Sequence, residues 1–93
     1  MLDKNLVENA VLMFQTRWCG KCDPVTEDRQ EQDMLVQSTI DDLLDYLDRL
    51  PDGAPVELED IDRGIFLLED YVEEDLQGPV QRFKKELYNA AAD

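Results

Sequence analysis

Residues 40–55 read IDDLLDYLDRLPDGAP, and this stretch decides the fold. Ile40, Leu43, Leu44, Leu47 and Leu50 recur every three or four positions, which on a helix of 3.6 residues per turn places them on one side. Pro51 ends the stripe, because proline lacks an amide and crowds the preceding helical turn. Pro51 to Pro55 then join two prolines to an Asp-Gly pair, the strongest turn signal in the chain. The turn divides the sequence into two helical halves.

Toward the N-terminus, Leu2, Leu6, Ala10, Met13, Phe14 and Trp18 follow helical spacing, and Val7 and Val11 widen that stripe to about half the circumference. This predicts a deeply packed first helix over 2–18, the most central of the set. Asp3 is placed to cap its free amides, with Leu2 and Val7 as the apolar staple on either side. The run Ala10–Phe14 also fits a short buried strand; helix is the preferred reading. Asp23 followed by Pro24 reads as the start of the second helix, which is secured by apolar spacing only from about Met34 onward.

Beyond the turn, Ile61, Ile65, Leu68, Val72 and Leu76 face one way and predict a third helix, with Gly78 and Pro79 as its stop and the start of a fourth. Val80, Phe83, Leu87 and Ala91 form the face of that fourth helix. All connections are short, so neighbouring helices pack antiparallel. The expected fold is all-α: one domain over 1–93, a small antiparallel up-down four-helix bundle.

Charge narrows the function. Nine Lys and Arg stand against 23 Asp and Glu, a net charge of −14. Residues 1–22 and 79–93 each carry two acids and three bases, whereas residues 23–78 carry nineteen acids and three bases. Such a field repels nucleic acid and anionic membranes, so a basic protein surface is the expected partner. The longest apolar run, Ala10–Phe14, is far below the roughly 20 residues that span a bilayer. Asp3 and Glu8 argue against a secretory signal, and a cytoplasmic location is expected, where cysteines rest as thiols.

The sequence has no histidine and a single serine, Ser38, which removes the imidazole base and the Ser-His-Asp arrangement. Histidine-containing zinc and di-iron sites fall with them. Asp60, Asp62 and Gly64 lack the remaining ligands of a calcium loop. No metal and no cofactor is expected.

Trp18-Cys19-Gly20-Lys21-Cys22 is the sharpest local motif. It resembles the active-site motif of the thioredoxin family, with Lys21 where proline commonly sits. The resemblance implies Cys19 as attacking thiol, Cys22 as resolving thiol, and a strand over Val11–Phe14 leading into the redox loop. Lys21 and the amides of a following helix would favour the thiolate. Against that, the family's fold needs later strands, while residues 23–93 carry helical periodicity, and Asp23, Glu27 and Asp28 oppose a thiolate. The competing readings are Trp18 packed in the core beside small turn cysteines, or half of an all-thiolate zinc site completed by a second chain.

Two rows of carboxylates carry the leading functional reading. Asp41, Asp45 and Asp48 fall within about 60° of one another on the second helix. Asp62, Phe66, Glu69 and Glu73 fall on a line about 100° from the core stripe of the third. An aromatic ring within carboxylates suits docking against a partner rich in Arg or Lys; the plain alternative is two solvated helix faces. The expectation is a non-enzymatic acidic binding module, a regulator or inhibitor that docks on a basic surface of a partner protein; one form of it is a DNA mimic that occupies a nucleic-acid-binding surface. A thiol-disulfide oxidoreductase using Cys19 and Cys22, and a homodimeric assembly protein, are the alternatives.

Overall fold

The computed structural model describes residues 2–92. Four helices follow in order: α1 (Lys4–Lys21), α2 (Glu27–Arg49), α3 (Leu58–Tyr71) and α4 (Gln77–Ala92), with a one-turn 3-10 helix, Glu74–Leu76, leading into α4. Each helix packs against its sequence neighbours, and α4 closes the ring against α1. Partners run in opposite directions along the chain: Gln15 meets Gln37 while Trp18 meets Asp33, and Asp62 meets Tyr88 while Glu69 meets Lys84. This is the antiparallel four-helix bundle expected from the apolar spacing.

The core is a single cluster running the length of the ring. Phe14, Trp18, Val36, Ile40, Ile61, Ile65, Val80, Phe83 and Leu87 are fully enclosed within it. Phe14 and Phe83 stack with centroids 5.1 Å apart and planes 9° from parallel, joining α1 to α4. Asp3 caps α1 by accepting from the Asn5 amide at 2.8 Å, and Leu2 pairs with Val56 in an antiparallel bridge that ties the N-terminal segment to the α2–α3 connection. In that connection Ala54 N–H donates to the Pro51 carbonyl. Gly53 supplies the left-handed backbone, φ 81°, that the turn requires and side-chain-bearing residues rarely adopt.

Several boundaries differ from the sequence reading. Ala10–Phe14 is helical, so no strand leads into the cysteine motif, and α1 runs on through Cys19 to Lys21. Its buried face is Val7, Ala10, Val11, Phe14 and Trp18; Leu6 and Met13, assigned to the stripe, stand exposed. In a ring of four no helix is central, and an apolar arc as wide as that of α1 must leave one edge in solvent. The cap of α2 is Thr26, whose hydroxyl accepts from the Arg29 amide, not Asp23; Asp23–Val25 form a tight turn. The early part of α2 lacks apolar spacing because its inward positions are polar, Gln32 and Asp33, and both are hydrogen-bonded.

The third helix ends at Tyr71, so Val72, Glu73 and Leu76 lie outside it. Gly78 is not a stop: it lies with Pro79 in the first turn of α4, the helix that Pro79 was expected to open. Two glutamines hold the break. Gln77 Nε2 donates to the carbonyls of Val72 (2.8 Å), Glu69 (3.1 Å) and Leu68 (3.4 Å), filling the role of the missing next turn. Gln32 Oε1 accepts from the Glu73 amide at 3.0 Å. With the link folded back in this way, Val72 and Leu76 still enter the core.

Candidate functional site

Closure of the ring by α1 and α4 has an electrostatic consequence. Helices α1 and α4 each carry three cations and one carboxylate, α2 carries eight carboxylates and two cations, and α3 five carboxylates and one cation. The near-neutral ends of the chain therefore share one side of the molecule, and α2 and α3 share the acidic one.

The two predicted acidic rows differ in kind. On α2, Asp41, Asp45 and Asp48 are exposed. Asp45 pairs with Arg49 at 3.0 Å; among the described residues no cation or hydrogen-bond donor reaches Asp41 or Asp48. Asp45 and Asp48 face Glu8 of α1 across a groove of about 390 Å³ that also contains Lys4, Leu12 and Leu44. Lys4 Nζ is held at one end by the Leu50 carbonyl and by Asp52.

The α3 row is bound up within the fold. Asp62 accepts from the Tyr88 hydroxyl at 2.6 Å, and that bond pushes the Tyr88 phenol above its ordinary range. Glu69 accepts from Gln81 and Lys84 of α4, and these contacts, Gln81 first, hold its carboxyl below the ordinary glutamate range. Glu73 is not on the helix: it lies in the link and pairs with Arg29 at 3.3 Å. Arg29 also binds Asp75 at 2.7 Å, which lowers the Asp75 carboxyl. Three of the four residues in this predicted row thus join helices to one another.

Phe66 is 61% exposed, and it does not stand alone. Leu67 (50%) and Tyr71 (53%) also project from α3, with Glu59, Arg63 and Asp70 exposed around them. The sequence reading missed Leu67 and Tyr71; they fall outside the core stripe at Ile61, Ile65 and Leu68, which was the available signal. Beside them α2 and α3 enclose a groove of about 320 Å³ lined by Leu43, Leu67, Thr39, Tyr46 and the Gly64 backbone, with Asp42, Asp60 and Arg63 at its rim. The groove floor is open because Gly64 has no side chain: a Cβ there would meet Leu43 and Thr39 at 3.4 Å. Tyr46 donates to Asp60 at 2.8 Å; burial first, then this bond, raises the Tyr46 phenol.

No family model, curated protein or solved structure matches the chain.

The cysteine motif sits at the end of a helix that is richest in free carbonyls, not at the start of one that offers amides. Cys19 is exposed in the last turn, 3.7 Å from Gln37 Nε2, while Cys22 is the buried C-cap and its amide donates to the Trp18 carbonyl. Burial, then Asp33, pushes the Cys22 thiol up. Trp18 is fully buried, and its indole donates to Asp33 Oδ1 at 2.8 Å. Among the described residues no group of three or more metal-ligating side chains comes together, and no helix is long and apolar enough to cross a membrane.

These surroundings predict unequal thiols. Under native conditions one thiol should react at once with an aromatic disulfide reagent and the second only on denaturation, and Cys19→Ser should remove the fast phase. Two equally fast thiols would contradict the buried position of Cys22.

Proposed function

We propose that this chain is a non-enzymatic binding protein whose α2–α3 half docks on a basic surface of a partner protein and regulates or inhibits it by occupying that surface. One observation carries the reading: the fold collects thirteen helical carboxylates against three cations on α2 and α3, and sets Phe66, Leu67 and Tyr71 exposed among them. Carboxylates steer a basic partner and reject acidic ones, while affinity at protein interfaces comes mainly from a few buried aromatic and apolar anchors. Isolated exposed apolar side chains are ordinary on any protein, but Leu67 and Tyr71 stand one turn apart on the same face of α3, and Phe66 extends the exposed arc roughly 100° further around the helix. Asp41 and Asp48, with Asp45, Glu8 and Asp42, supply the charge; Asp62, Glu69 and Glu73 hold the helices that present it.

Where the partner's basic surface normally holds phosphates, the α2 row acts as a nucleic-acid mimic, competing through the same salt-sensitive electrostatics. Affinity capture with this chain as bait tests the reading. Basic proteins should be retained at low salt and released as salt rises. Asp41→Lys with Asp45→Lys and Asp48→Lys should weaken capture at least about tenfold, and Phe66→Ala with Tyr71→Ala should do so at all salt concentrations. Added duplex DNA displaces the partner if mimicry operates. Capture indifferent to both charge reversal and salt would end the proposal.

A further inference from the structure

The groove between α2 and α3 joins an apolar floor to a charged rim. Leu43 and Leu67 line it on either side of the Gly64 backbone, and the Tyr46–Asp60 hydrogen bond closes one end. Glycine is a poor helix former, yet Gly64 stands inside α3, and its missing side chain keeps the floor open. The space, about 320 Å³, is at the lower end for small-molecule sites and suits one or two side chains better than a whole cofactor. At the rim Asp42 is exposed, and among the described residues no cation or hydrogen-bond donor reaches it. Asp60 accepts from Tyr46 through one of its oxygens. Arg63 is the rim's own cation.

We propose that this groove seats an apolar side chain of the basic partner, presented between Lys or Arg residues that meet Asp42 and Asp60. The inference rests on the binding reading above and names the chemistry of the segment that is recognised. Charge selects the segment. The groove is built from α2 and α3 alone, which carry thirteen carboxylates against three cations, so a cationic segment is attracted and an acidic one repelled. The floor selects the side chain. Leu43, Leu67 and the face of Tyr46 offer apolar contact, and a charge buried among them would lose its water without gaining a partner. Arg63 beside the floor excludes a second cation from it, which leaves the partner's basic residues to the carboxylates at the edge. Leu67 belongs both to the groove and to the exposed apolar arc of α3, so the seat is continuous with the proposed docking surface.

A synthetic peptide of leucine and lysine, with its leucines at helical spacing, is the probe, titrated into the isotope-labelled protein and followed by nuclear magnetic resonance. The Gly64 amide and the Leu43 and Leu67 methyls should shift and saturate together. Exchanging the probe's leucines for alanine, or its lysines for glutamate, should weaken binding at least about tenfold. Gly64→Ala should weaken it by about threefold to tenfold with helical circular dichroism kept, because alanine is the better helix former and its Cβ would meet Leu43 and Thr39 at 3.4 Å. Leu67→Ala, at a side chain already half in solvent, is a second variant that should act in the same direction. Arg63→Gln removes the rim's cation and should tighten the lysine probe; weakening instead would mean that the rim receives an acidic group, and would overturn the assignment. So would a probe that does not bind, one that binds wild type and Gly64→Ala equally, or one whose shifts fall on the Asp41, Asp45 and Asp48 row alone. In those cases salt-sensitive capture of a basic protein, unchanged by Gly64→Ala, would leave the broader binding reading standing without the groove.

Discussion

Trp18→Ala should lower unfolding stability by about 3–5 kcal/mol, a large share of the 5–15 kcal/mol typical of a domain. The indole is fully buried at the end of α1 where α2 begins its packing, so its removal leaves a cavity that the surrounding helices cannot close. It also deprives Asp33 of its 2.8 Å donor. Trp18→Phe keeps most of the volume but not the donor, and should cost about 1–3 kcal/mol. Urea titrations followed by circular dichroism give both values. A loss below about 1 kcal/mol for the alanine variant would show that the side chain is not the cornerstone its burial implies. The same result bears on the cysteine motif, because it separates a structural role of Trp18 from any chemistry at Cys19.

Gln77→Ala should cost about 1–3 kcal/mol, the second largest of these effects. Its amide reaches three carbonyls at the end of α3, and among the described residues no other side chain donates to them. Without it the Leu68 carbonyl keeps the Val72 amide at 3.0 Å, but the Val72 and Glu69 carbonyls lose the one side-chain donor that reaches them among the described residues, and the link that seats Leu76 loosens. Gln77→Glu should be worse than alanine, since a carboxylate would face the same carbonyls. The check is again denaturation, together with amide exchange across residues 69–77, where protection should drop first. An alanine variant as stable as the wild type would mean that water replaces the glutamine at no cost.

Much of the architecture was legible in the sequence. The stripes Val7–Trp18, Ile40–Leu50, Ile61–Leu68 and Val80–Leu87, and the Pro51–Pro55 turn, determined four helices and their antiparallel order, because apolar side chains at 3.6-residue spacing have one way to leave water together. Even Val72 and Leu76, assigned to the wrong element, were correctly read as buried. The misreadings share a cause. The end of α3 carries neither glycine nor proline, and it is set by Gln77 and Gln32 reaching from other helices, contacts between residues 5 to 41 positions apart. The start of α2 packs through Gln32 and Asp33, whose burial is tolerable only because Glu73 and Trp18 complete their hydrogen bonds.

For the candidate surface the division is similar. Composition along the chain determined that the middle is acidic and the ends are not, and helical geometry determined that Asp41, Asp45 and Asp48 share a line. Only the tertiary structure decided that the two near-neutral ends lie side by side, that Asp62, Glu69 and Glu73 are spent on holding helices together, and that Leu67 and Tyr71 join Phe66 in solvent. A sequence fixes which residues lie on one helical face through local backbone geometry. Which of those faces meets a neighbour depends on how all four helices share a single core, and that is a property of the assembled bundle.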